Sequence, residues 1–128
     1  MAHATAQTKW PAFSTSVEAK ALIEKFFSLM DDPNEGVGDK LADELFTSDG
    51  ILRAAAGAAT GSSEIRKSRE HAWNVIKKRR HSVQTVYSHD AECSDLMVIG
   101  VVEMDLTNGI SVDASFTARF LFAGDPVS

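Results

Sequence analysis

The 128-residue sequence predicts an α+β domain, with helices first and an antiparallel sheet after them, the helices covering one face of that sheet. Three observations carry this. Apolar residues recur with a period near 3.6 as far as about residue 80. From His81 onward the period changes to two, in three long runs. Asn108-Gly109, between the last two runs, is the strongest hairpin signal in the chain.

Taken in order, residues 1–14 are small and polar, with Trp10-Pro11 as their one anchor, and are expected to form a flexible arm. Ser16 is a candidate N-cap for a first helix, and Ala19, Leu22, Ile23, Phe26, Phe27 and Met30 then trace one buried face. Asp31-Asp32-Pro33-Asn34 stops it, because proline disfavours helical geometry in the residue before it. A shorter second helix fits residues 39–46. Asp49-Gly50 is a turn signal, 51–55 a short strand, and 57–61 a loop or a second short strand. A third helix starts at Gly61-Ser62-Ser63-Glu64, with Ser62 or Ser63 as cap and Glu64 at the positive end of the dipole, and runs to about Arg80. Strands follow over 81–88, 95–107 and 110–123. The domain is single, 15–123, with a tail over 124–128.

Composition narrows the function. Apolar residues make up 44% and charged residues 24%, as in ordinary globular chains. The net charge of −5 argues against nucleic acid as principal partner. Cys93 is the one cysteine, so no internal disulfide forms and no oxidising compartment is implied. His3, His71, His81 and His89 show no metal-ligand spacing, so no metal is expected. The start of the chain lacks the apolar stretch of a signal peptide, and the apolar run at 96–102 is too short to span a bilayer. A cytoplasmic protein with no membrane partner is the expectation.

The order of elements, together with Phe26-Phe27, Asp49-Gly50, Gly61, Ile65, Arg69, Trp73, Arg80-His81, Leu96-Met97, Gly100, Val102-Glu103, Asn108-Gly109 and Phe116 to Arg119, resembles the nuclear transport factor 2-like superfamily, in particular its SnoaL-like branch. The resemblance covers about residues 15–123. It implies a cone-shaped α+β barrel: a curved antiparallel sheet wrapped against three helices, with a pocket at the open end. The superfamily includes polyketide cyclases, ketosteroid isomerases and scytalone-type dehydratases, and also pocket proteins with no known reaction, so the fold does not fix the function. Enzymes among them generally use no metal or organic cofactor and act by proton transfer. The implied reading is a cofactor-free isomerase, cyclase or dehydratase (lyase) of secondary metabolism. Its ligand would be small, apolar and polyketide- or terpenoid-like. The alternative is a non-catalytic ligand-binding or dimerisation module.

His81 heads the candidates for chemistry. An imidazole shuttles protons near neutral pH, and its place at the start of a strand is similar to that of a pocket histidine in scytalone dehydratase. The blander reading is a histidine beside two arginines at a helix end. His81, Val83, Thr85 and Tyr87 would share the buried face by period two. Asp49 and Asp113 are candidate acid partners, and Glu103 is either a pocket base or an interface salt bridge. A two-residue Asn108-Gly109 loop pairs Thr107 with Ile110. Val98, Gly100, Val102 and Met104 then share a face with Asp113, Ser115, Thr117 and Arg119. The opposite face carries Met97, Ile99, Val101, Glu103 and Asp105 with Val112, Ala114, Phe116, Ala118 and Phe120. The resemblance favours the first face as pocket and the second as the surface of a homodimer. Phe27, Met30, Phe46, Arg69, Trp73, Val102, Met104 and Arg119 are the candidate substrate-binding residues. Arg69 either packs its stem and reaches out, or forms an internal ion pair. Lys77 to Arg80 read as a solvated helix end.

Overall fold

The computed structural model describes residues 3–12, 15–54, 57–89 and 91–122. Its elements run α1 (Val17–Met30), α2 (Val37–Lys40), a π-helical turn (Leu41–Leu45), β1 (Ile51–Ala54), β2 (Gly57–Thr60), α3 (Gly61–Lys67), β3 (Ile76–Ser88), β4 (Asp95–Leu106) and β5 (Ser111–Leu121). β1 and β2 form a hairpin. β3, β4 and β5 form an antiparallel sheet in that order. The expected tail, 124–128, lies outside the described residues.

α1 forms as its sequence predicts. The Ser16 hydroxyl accepts from the Ala19 amide at 3.0 Å, and Ala19, Ile23, Phe27 and Met30 are buried. This face packs on the sheet. Ile23 and Phe27 meet Val83, Val86, Leu96 and Val98, with Phe116, Ala118 and Phe120 against them. Burying each such aliphatic side chain contributes about 1.5–3 kcal/mol. A second cluster joins Leu29, Met30, Val37, Leu41, Ala42 and Ile65, with Phe46 at its edge.

The structure corrects four sequence expectations. The third helix ends at Lys67, not near Arg80, and its N-cap is Thr60 rather than Ser62 or Ser63. Short turns carry residues 68–75, and β3 takes over at Ile76. Lys77 to Arg80 therefore lie on a strand, where eleven residue pairs with β4 outweigh a weak local helix preference. Within β3 the register shifts between Val83 and Thr85. That bulge reverses the alternation: Val83 and Val86 are both buried, and Tyr87 is exposed.

The hairpin after β4 has three loop residues rather than two. Gly109 takes φ 88°, the Leu106 amide donates to the Ile110 carbonyl at 2.8 Å, and Asp105 pairs with Ser111. The one-residue slip flips every side chain of β5. Val98, Gly100, Val102 and Met104 share the inner face with Val112, Ala114, Phe116, Ala118 and Phe120. Asp113, Ser115, Thr117 and Arg119 go to the outer face with Met97, Ile99, Val101 and Glu103.

The fourth correction concerns the described part of the arm, residues 3–12, which is docked. Lys9 bridges to Thr85, and the Val83 amide donates to the Ala4 carbonyl at 2.8 Å. Glu24 Oε1 accepts from the amides of His3, Ala4 and Thr5 at 2.7, 2.8 and 3.0 Å. Ala4 is buried in the core.

Candidate functional site

α1 ends at Asp31, whose side chain is only 3% exposed. A carboxylate there opposes the helix dipole and loses its hydration, so it needs donors. It has three. Asp31 Oδ1 accepts from His81 Nδ1 at 2.6 Å; Oδ2 accepts from the His81 backbone amide at 2.7 Å and from His3 Nε2 at 2.8 Å. Burial works against ionisation of Asp31, but the bonds from His81 and His3 outweigh it and hold the carboxyl below its ordinary value of 3.8. An ionised carboxylate only accepts, so in neutral His81 the proton sits on Nδ1 and Nε2 is the acceptor nitrogen.

β3 positions the imidazole opposite Val102 of β4. Its ring lies 5.0 Å from Phe27 and 5.1 Å from Phe116, centroid to centroid, and its side chain is 15% exposed. Gly100 is what admits Phe116. A Cβ there would stand 2.8 Å from the Phe116 ring and 2.2 Å from the Ser82 carbonyl.

A cavity of about 650 Å³ opens on His81. Phe26, Phe27, Met30, Leu52, Phe116 and Ala118 give it apolar walls, and the β1–β2 hairpin forms much of its rim. Arg53, Lys67 and Arg69 bring cations to it, and Glu64 the one carboxylate among the described lining residues. Glu64 is occupied, accepting from the Thr60 amide at 2.9 Å. Arg69 Nη2 donates to the Met30 carbonyl at 3.0 Å, and its buried Nε finds no acceptor. The internal ion pair expected for Arg69 does not form: among the described residues no carboxylate lies within salt-bridge distance of it.

The cavity thus brings together His81, Phe27, Met30 and Arg69 from the sequence-predicted set. The others lie elsewhere. Asp49 is exposed in its turn and accepts from the Thr47 hydroxyl at 2.9 Å. Asp113 is exposed on the outer face opposite Glu103, and Arg119 pairs there with Asp95 at 2.8 Å. Phe46 packs in the second core cluster. Val102 is buried beside His81 without lining the cavity. Trp73 and Met104 line a separate cleft of about 380 Å³ among charged side chains, where Arg79 lies 4.9 Å over the Trp73 ring.

Asp31 and His3 are the residues that sequence reasoning missed. Asp31 was legible as a helix stop; its placement at the negative end of a dipole was the available signal of something more. Among the described residues no group of three or more His, Cys, Asp or Glu side chains is placed to hold a metal ion. No helix among them is long and apolar enough to cross a membrane.

No family model matches the chain, and no curated protein matches it. Solved structures do. A protein of ketosteroid isomerase-like fold from Catenulispora acidiphila, in complex with trimethylamine, superposes with TM-score 0.65 at 15% identity, over 87% of this chain and 80% of that one. A nuclear transport factor 2-like protein of unknown function from Burkholderia pseudomallei gives 0.65 at 13%, over 84% and 83%. A candidate aromatic ring hydroxylase from Novosphingobium aromaticivorans gives 0.61 at 14%, over 80% and 76%. The helices, the meander and these superpositions agree: the chain has the nuclear transport factor 2-like α+β cone fold.

Proposed function

We propose that the protein is an acid–base enzyme that moves a proton on a small, largely apolar organic substrate without a cofactor, in an isomerisation, cyclisation or dehydration. The observation that carries this reading is the 2.6 Å bond from His81 Nδ1 to the buried Asp31 carboxylate, at the wall of an apolar cavity. Asp31 selects the Nδ1–H tautomer and stabilises the imidazolium that forms when Nε2 takes a proton. Phe27 and Phe116 hold the ring and exclude water, which strengthens the electrostatics of proton transfer. The same residues then return the proton at a second position. SnoaL-like polyketide or terpenoid chemistry suits an apolar cavity of this size. Cytoplasmic localisation and a homodimer belong to the same reading. The outer sheet face supports the dimer, with Tyr87, Met97, Ile99 and Leu121 exposed on it.

The test is hydrogen–deuterium exchange at the α-carbon of a generic aryl ketone, 2-tetralone, in D2O, followed by NMR. The protein should accelerate exchange well beyond an equal concentration of free imidazole. His81→Ala should abolish the acceleration while the far-ultraviolet circular dichroism stays unchanged. No acceleration by the wild type, or a fully active His81→Ala protein, would leave a ligand-binding module as the reading.

A further inference from the structure

Two guanidinium groups converge on one backbone carbonyl. Arg69 Nη2 and Arg79 Nη1 both donate to the Met30 oxygen, at 3.0 and 3.2 Å. Arg79 also donates to the Ala72 carbonyl at 3.1 Å and stacks on Trp73, so its groups are largely engaged. Arg69 is not: among the described residues it makes that one bond, and its buried Nε has no acceptor. Burial first, and then the like charge of Arg79, press the Arg69 guanidinium below its ordinary value, with Asp31 as the opposing influence. Among the described residues neither arginine has a carboxylate within salt-bridge distance. A half-buried cation with spare donors and no directly paired carboxylate is costly to fold around, and a ligand anion lowers that cost.

Arg69 lines the cavity that holds His81. Arg53 and Lys67 add two further cations, against a Glu64 already bonded to the Thr60 amide. The rest of the lining is largely aromatic and aliphatic. The geometry points to a substrate with an apolar, ring-sized body and one carboxylate, the carboxylate paired with Arg69 and the body lying across Phe26, Phe27 and Phe116 toward His81. The planar guanidinium fork suits a carboxylate held by two parallel bonds. This rests on reading the cavity as the substrate site. It assigns Arg69 as the group that selects charge, separately from proton transfer at His81.

The experiment compares 2-naphthoate with 2-naphthamide, equal in shape and unequal in charge, by isothermal titration calorimetry. Wild type should bind the carboxylate about tenfold tighter or more, the scale of a charge-assisted hydrogen bond. Arg69→Gln should reduce that preference to near unity with amide affinity kept, and Arg69→Lys should retain part of it. Lys67→Gln, at an exposed position, gives a check that needs no change in the interior and should weaken the carboxylate alone. His81→Ala should keep the preference, so loss of ketone exchange and loss of charge selection report on different residues. Equal affinities in wild type, an unaltered preference in Arg69→Gln, or no binding of either probe at millimolar concentration would overturn the assignment.

Discussion

Asp31→Asn changes one atom's chemistry and leaves the shape alone. The carboxylate accepts from three donors: His81 Nδ1, the His81 amide and His3 Nε2. An asparagine has one acceptor oxygen. With that oxygen toward His81 Nδ1, the new NH2 group faces the His81 amide, and a buried N–H is orphaned at a cost of about 1–3 kcal/mol. With the amide reversed, the oxygen satisfies the backbone N–H, but the NH2 group donates to Nδ1 and forces the proton onto Nε2. The first arrangement costs stability, and the second removes the base. The second satisfies the His81 amide and His3 and leaves only one hydrogen of the new NH2 group without an acceptor, so it should dominate. Proton-transfer activity should fall by about 10²–10⁴-fold, the usual worth of a positioned acid–base group. Stability should fall by about 1 kcal/mol, which is about 4 °C in melting temperature for a chain of this size. The assay pairs 2-tetralone exchange with ¹⁵N NMR of the His81 ring, which reads the tautomer directly. A variant with wild-type exchange rate, or with the proton still on Nδ1, would refute the reasoning.

Further outcomes follow from the same geometry. Gly100→Ala should cost about 3 kcal/mol or more in urea denaturation, because the added Cβ meets a backbone carbonyl at 2.2 Å and cannot be relieved by a rotamer change; a loss below about 1 kcal/mol would contradict the packing. Asp31 and Glu24 are both held below their ordinary values of 3.8 and 4.5, each by hydrogen bonds that outweigh burial. The unfolded chain therefore binds more protons in acid, and their contribution, present above those values, should be lost as pH falls through the folded-state ones; urea midpoints between about pH 5 and pH 2 check this. Light scattering should return a dimer of the 13.8 kDa chain, reduced to a monomer by Ile99→Lys on the outer face; a wild-type monomer would refute the interface.

The helix-then-meander order was legible because α1, β4 and β5 carry unmixed periodicities and a Ser16 cap. Two boundaries were hidden for physical reasons. Residues 68–80 contain no glycine or proline to break a helix, so only the long ladder with β4 shows that β3 begins at Ile76. Asn108-Gly109 fits both two- and three-residue loops, and Gly109 at φ 88° serves the longer one. That single residue moved Phe116 into the cavity, and Asp113 and Arg119 out of it. His81 was readable as a lone imidazole, but its partner was not. Asp31 is fifty positions away, and only the packing of α1 across β3 brings the two together.

The docked segment ahead of α1 also bears on how the molecule stays dispersed. β3 is an edge strand, with β4 on one side alone. Its outer backbone groups near Val83 to Val86 are taken by Ala4 and Lys9: the Val83 and Val86 amides donate to their carbonyls at 2.8 and 3.0 Å, and the Lys9 amide donates to Gln84 at 2.9 Å. An uncovered edge is a template on which another chain can add a strand. A chain shortened past Lys9 would bare that template and strip His3 from Asp31 at the same stroke. Self-association into sheet-paired aggregates and a loosened His81 should then appear together, since one stretch of backbone guards against both.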